Sequence, residues 1–388
     1  MRKARWLAEW RMAAGKPVLY HVHSRVVDRR FVLGTEEKEK FRTLMRMQEN
    51  FTGCRALAYC LMDNHFHILL EVPPMGEGGI SDEVLLKRLS AIYGEDFVAG
   101  VAQELADVRK AVYTSDGGVG EAVAAIHKRF TYRMQDLAQF MKGLLQRFSQ
   151  WFNRAHSRSG VLWEDRFKSV IVEDGVAART IAAYIDLNPL RAGMVKDPAD
   201  YRWSSYGEAI GGRVRVKGDG LTRSDGKEGD CLPQSSVMGN GKKAREGLVR
   251  AFYCDQGVGY DAGKWDEVSR LYRRMMGLAI GRKPGKAEIQ RRSQTAATMT
   301  KNTAELLESE DNETALKDLG AAKILHCRIR YFTAGAVIGS KEFVNEAFAS
   351  ARDRFGSKRK DGARKMKGDA VGANCALWSL RDLRKGIA

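Results

Sequence analysis

The stretch Tyr59-Cys60-Leu61-Met62-Asp63-Asn64-His65-Phe66-His67-Ile68-Leu69-Leu70-Glu71-Val72-Pro73 decides the fold. Asp63-Asn64 carries turn residues, so two strands are expected on either side of it. Along the second strand His65, His67, Leu69 and Glu71 point one way, and Phe66, Ile68, Leu70 and Val72 the other. One face is fit for a core. The other presents two imidazoles roughly 6.5–7 Å apart at the backbone, close enough for their nitrogens to converge on one metal ion.

Working outward, Val18 to Val27 is β-branched, aromatic and alternating, which predicts a preceding strand. Between it and the hairpin, Thr35 precedes a helix over Glu36 to Asn50 that Gly53 ends. The order β-α-β-β is the first half of a split β-α-β unit. The fold class expected is therefore α/β (α+β), a ferredoxin-like antiparallel sheet. Its second half is delayed by an insertion over about 76–133, with helices at Ser81 to Leu89 and Phe97 to Val112. An amphipathic helix from roughly Tyr132 to His156 follows, then a fourth strand at Ser169 to Glu173.

Between that helix and strand, residues 154–168 interleave cations with aromatic rings, notably Arg154, Arg158, Trp163, Arg166 and Lys168. Single-stranded nucleic acid is bound by this combination, charges tracking phosphates and rings stacking on bases. The alternative is a solvated loop pinned by Trp163. A helix over Val176 to Leu187 ends at Asn188-Pro189, because proline disfavours helical geometry in the residue before it. Tyr184 and Asn188 lie four apart and share a face if the helix reaches that far. Arg191 follows as a further candidate phosphate contact.

Composition sets the bounds. The 388 residues are 44% hydrophobic and 29% charged, as in globular proteins, and no run approaches the roughly 18 apolar residues of a membrane span. No apolar segment follows the basic N-terminus, so no secretory signal is expected and the expected location is cytoplasmic. The six cysteines form no Cys-x-x-Cys pair, which argues against a structural zinc site. The net charge is +17, and +13 of it lies from Arg213 onward, where 35 Lys and Arg face 22 Asp and Glu. Clustered positive charge points to a polyanionic partner. Three parts are expected: a catalytic domain over 1–211, a linker over 212–243, and a basic, mainly helical C-terminal extension over 244–388.

Two histidines on a strand with a tyrosine and an amide on a helix suit one chemistry. The imidazoles hold a divalent cation, Mg²⁺ or Mn²⁺, that polarises a phosphodiester. The tyrosine oxygen attacks phosphorus and forms a covalent intermediate. A second pair, His21 and His23, also shares a strand face beside the first, with phosphate contact or packing favoured over metal ligation. Tyr132, with Asp136 four residues on, rivals Tyr184 as nucleophile.

His65-Phe66-His67 resembles the His-hydrophobic-His (HUH) motif of single-tyrosine, IS200-like transposases. Phe152-Asn153-Arg154, Gly160 to Ser169, Tyr184 to Gly193 and Trp203 to Tyr206, in that order, resemble the branch associated with repetitive extragenic palindromes (REP). The resemblance implies Tyr184 as catalytic nucleophile and Asn188 as third metal ligand beside His65 and His67. It also implies single-stranded or hairpin DNA as substrate and a 5′-phosphotyrosine intermediate, in a monomer or homodimer. Two further readings stand beside it: a DNA-binding regulator that has lost cleavage, and a replication-initiator or relaxase-type nickase.

Overall fold

The computed structural model describes residues 5–76, 78–111, 119–211, 235–253, 262–276, 332–333, 335–355, 357, 359–366 and 377–380. In chain order the elements are α1 (Glu9–Ala13), β1 (Val18–Arg25), α2 (Thr35–Thr52), β2 (Arg55–Leu61) and β3 (His65–Val72). The insertion contributes α3 (Asp82–Leu89), α4 (Glu95–Ala111) and α5 (Val119–Thr131). Next come α6 (Leu137–Ala155), β4 (Lys168–Val172), α7 (Val176–Asp186), α8 (Asn188–Arg191) and α9 (Ser205–Gly211). The C-terminal part holds α10 (Ser235–Phe252), α11 (Trp265–Met275), β5 (Val337–Gly339), α12 (Lys341–Ser350), β6 (Arg364–Lys365) and β7 (Trp378–Leu380).

The sheet order is β2-β3-β1-β4-β5-β7-β6. Its first four strands are antiparallel and in the order expected of the split β-α-β unit. Strand β1 lies between β3 and β4, with His23 opposite His67 and Arg25 opposite His65. The period-2 alternation of β3 divides the two cores as its sequence predicts. Phe66, Ile68, Leu70 and Val72 pack with Phe41, Leu44 and Met45 of α2 and with Phe140, Leu144 and Phe148 of α6. Leu69 faces the opposite core with Leu19, Val170 and the Ala- and Ile-rich face of α7. The histidine face of the sheet is thus the α7 face.

Several boundaries differ from expectation. The helix expected from Tyr132 begins at Leu137, because Asp136 accepts from the Gln139 amide as its N-cap. Gln135 just before it is left-handed at φ 51°. Tyr132 falls in the turn before that cap. The insertion forms its own small core of Leu85, Leu89, Val101, Leu105, Ile126, Phe130 and Met134, which also covers Phe51 of α2.

The described part of the C-terminal extension is mainly helical, in α10, α11 and α12, but it also adds strands to the sheet. The segment 333–340 contains β5, which pairs parallel with β4 at Ile171–Val337 and Val172–Ile338. Strands β7 and β6 then extend the same sheet. These strands are two or three residues long, too short for alternation to register, and their pairing depends on distant partners. Helix α10 starts within the expected linker and packs on β2, where Gly247 lets the backbones approach: a Cβ there would lie 2.6 Å from the Leu57 carbonyl oxygen. It is tied to β3 by Arg250, whose guanidinium grips the Glu71 carboxylate at 2.9–3.2 Å. Glu71 therefore fastens a helix as well as ending a strand. The sequence also predicts helices over 286–300 and 315–330; these, and most of the expected linker, lie outside the described residues.

Candidate active site

Four histidines gather on the α7 face of the sheet. The His67 ring lies 5.1 Å from His21, 5.5 Å from His23 and 5.2 Å from His65, centroid to centroid. Two come from β1 and two from β3, because adjacent antiparallel strands put directly opposed residues on one face. Arg25 beside His65, and Lys168 of β4 beside His23, share that face by the same register. Both are exposed, so the histidine patch is flanked by cations.

The hydrogen bonds fix the tautomers. Phe332 O only accepts, so His21 donates Nδ1–H to it at 2.8 Å. His21 Nε2 is then a lone pair and accepts Nδ1–H from His67 at 3.0 Å. At His65 the logic runs through Asn64. The Asn64 amide nitrogen donates to the Arg29 carbonyl at 2.9 Å, which turns its oxygen toward His65 Nδ1 at 2.7 Å. His65 and His67 therefore both carry hydrogen on Nδ1 and a lone pair on Nε2. His23 is the opposite tautomer, donating Nε2–H to Thr333 O at 3.1 Å.

Burial holds these rings neutral. Desolvation lowers His21 to about 3, His65 to about 4 and His23 to about 4, and pushes His67 well below the usual imidazole value. The Arg25 guanidinium adds to the lowering at His65, and the neighbouring histidines add to it at His67. A neutral imidazole is the form that binds a cation. The lone pairs of His65 Nε2 and His67 Nε2 thus fit two ligand positions of a divalent ion, while both nitrogens of His21 are engaged. Among the described residues, no three His, Cys, Asp or Glu side chains form a ready metal cage.

Helix α7 brings Tyr184 to this patch. Its ring stands edge-on to His21 and His67 at 5.9 and 5.8 Å. The Phe332 ring lies 4.8 Å away and the Arg191 guanidinium 4.2 Å from the ring centroid. Tyr184 is only 2% exposed. Burial raises its phenol pKa, and the Arg191 charge opposes that rise. Arg191 also donates to the Tyr184 carbonyl at 2.5 Å, which fixes it against the helix end.

Asn188 does not touch a histidine through any hydrogen bond found among the described residues. Its amide nitrogen donates to the carbonyls of Tyr184 and Ile185, each at 3.1 Å, leaving Oδ1 as the atom a cation would meet. The rival Tyr132 is 62% exposed, and its ring partner is Arg133.

The basic loop is split in role. Arg154, Arg166 and Lys168 are exposed, and Arg158 is partly so, donating to the Val161 carbonyl at 3.2 Å. Trp163 anchors the loop: its ring packs on Phe41, Phe66 and Phe148, and its indole N–H donates to Ser149. Sequence alone did not disclose that Phe332 and Thr333, far along the chain, would close over the histidines. Arg25 was legible, since it continues the His21, His23 alternation.

The family described as "Transposase IS200 like" matches residues 16–82. This is the family that the motifs resemble, and the matched segment spans β1, α2 and the histidine hairpin. Among solved structures, a REP-associated tyrosine transposase bound to a REP hairpin matches at 14% identity. The match covers 60% of this chain and 98% of that one at a TM-score of 0.32, so the site's own geometry has to carry the reading. No curated protein matches the chain. Among the described residues no helix is long and apolar enough to cross a membrane.

Proposed function

We propose that the protein is a transposase that cleaves and rejoins single-stranded DNA, at hairpin-forming sequences, through Tyr184. The observation that carries this is the meeting of Tyr184 with His67, whose ring neighbours His65, two histidines whose Nε2 lone pairs are both left open by their hydrogen bonds. His65 and His67 would hold Mg²⁺ or Mn²⁺, with Asn188 Oδ1 as the third protein atom offered. The bound cation would supply charge neutralisation at the scissile phosphate.

The chain's own residues do the rest. Tyr184 Oη forms a bond to phosphorus as the bond from phosphorus to the 3′ oxygen breaks. The phenol's proton is lost and the leaving oxygen gains one, so the products are a 5′-phosphotyrosine and a free 3′-OH. Arg191, lying over the phenol, favours its anionic form. Arg25 and Lys168, which flank the histidines, are phosphate contacts, and Arg154, Arg158 and Arg166 of the basic loop take phosphates farther along the strand. Reversal with another 3′-OH rejoins the strand without an external energy source.

A second reading rests on the burial of Tyr184 under Phe332: a DNA-binding regulator that does not cleave. One incubation separates the two. Hairpin-flanked single-stranded DNA with Mn²⁺ should give a denaturant-stable protein–DNA adduct, lost in Tyr184→Phe. No adduct with the wild-type protein would favour the regulator, and cleavage confined to plasmid or phage origin DNA would favour a nickase.

A further inference from the structure

The loop from Val26 to Gly34 is stapled to the histidine hairpin. Val26 N–H donates to Asn64 O, Leu33 N–H to Asp63 O, and the Asn64 side chain to Arg29 O, each at 2.9 Å. The same loop is stapled to the basic loop, since Val27 N–H donates to Leu162 O and Glu164 N–H to Arg25 O, both at 2.9 Å. Val26 and Leu33, at 1% and 5% exposure, anchor its two ends in the core. Between these anchors Asp28 and Arg29 are consecutive left-handed residues, at φ 57° and 58°. Such backbone is disfavoured for side chains with a Cβ and persists only where its surroundings over-determine it.

This strained, fastened loop holds up Phe31, which is 79% exposed. A lone exposed apolar side chain is ordinary. Phe31 differs in its setting: Arg29 and Arg30 precede it on the same loop and are exposed as well, as is Arg25 at the end of β1 opposite His65. It lies two positions on from Arg29, whose carbonyl orients Asn64, and Asn64 in turn orients His65. An exposed aromatic ring on a loop that carries exposed guanidinium groups is complementary to an unpaired base on its phosphate backbone.

We propose that Phe31 is a stacking platform for an unpaired nucleobase of single-stranded DNA, with Arg25, Arg29 and Arg30 taking the adjoining phosphates. The strand that reaches Tyr184 passes over this loop. The inference rests on the DNA reading of the site and adds where the strand lies.

The test compares two oligonucleotides, a hairpin with a single-stranded flank and the same hairpin blunt-ended, by fluorescence anisotropy. Stacking of one base on an aromatic ring implies that Phe31→Leu weakens binding of the flanked hairpin by about 5- to 150-fold. Phe31→Trp should bind it as the wild type does, and the blunt hairpin should bind all three alike. Equal affinity of Phe31→Leu and wild type for the flanked hairpin overturns the proposal while leaving the Tyr184 adduct to speak for the site. If the wild type binds neither DNA, the proposal and the DNA reading fall together. A self-association that Phe31→Leu abolishes, with DNA binding unchanged, would give this face to a second copy of the chain and also overturn the proposal.

Discussion

Replacing His21 with leucine tests the hydrogen-bond chain that sets the active-site tautomers. His21 is fully buried and bonds at both nitrogens, to Phe332 O at 2.8 Å and to His67 Nδ1 at 3.0 Å. Leucine fills similar space but can neither donate nor accept. Two buried polar groups then lose their partners, at about 1–3 kcal/mol each, so His21→Leu should lose about 2–6 kcal/mol in urea unfolding. The second effect is on function. His67 loses the acceptor that keeps its hydrogen on Nδ1 and its lone pair on Nε2. Removing a group that orients a ligand histidine weakens metal binding by about 10- to 100-fold. Mn²⁺ titration followed by electron paramagnetic resonance reads that loss directly, and ¹⁵N chemical shifts of His67 report the tautomer in the metal-free protein. Wild-type stability together with unchanged Mn²⁺ affinity would refute the tautomer chain.

Three more predictions address pH, closure and packing. Unfolded histidine titrates near 6.5, while His65 and His23 are held at about 4 in the fold, so between those values the unfolded chain binds more protons. Stability should be level above pH 6.5 and fall as pH drops toward 4, by on the order of 3 kcal/mol for each of these histidines. A flat urea midpoint across that range would contradict their burial as neutral rings. Phe332→Ala removes the ring 4.8 Å from Tyr184; it should cost about 3–5 kcal/mol and speed nitration of Tyr184 by tetranitromethane, mapped on tryptic peptides. An unchanged nitration rate would mean that Phe332 does not shield the phenol. Gly247→Ala drives a Cβ to 2.6 Å from Leu57 O, so a thermal melt should show a loss of about 1–3 kcal/mol, and no loss would dispute the close seating of α10 on β2.

What could be read from the sequence follows the length and locality of each signal. The β3 alternation runs for eight residues and divides the two cores, so the histidine face was legible. The strand order of the first four strands followed from the β-α-β-β pattern and the Val-Ile-Val of β4. Tyr184 could be placed on a helix after β4, and that helix does carry it to His21 and His67. The role of His21 was not legible: a second His-x-His looks the same whether it is free to bind an ion or is tied up in a hydrogen bond to a neighbouring histidine. Only the carbonyl of Phe332, supplied by residues more than 300 positions away, decides between them. Strands β5 to β7 were hidden for a related reason, since two or three residues carry no period. Trp163 illustrates the converse, an aromatic among cations whose ring the core of α2 and α6 claims.

In the proposed reaction Tyr184 Oη becomes bonded to DNA. Trypsin cleaving after Arg179 and Arg191 releases Thr180–Arg191, the peptide that contains Tyr184. After incubation with hairpin-flanked single-stranded DNA and Mn²⁺, then nuclease and trypsin digestion, mass spectrometry should find this peptide carrying a 5′-linked nucleotide on Tyr184. An adduct mapped to another tyrosine, or a full complement of unmodified Thr180–Arg191 beside cleaved DNA, would contradict it.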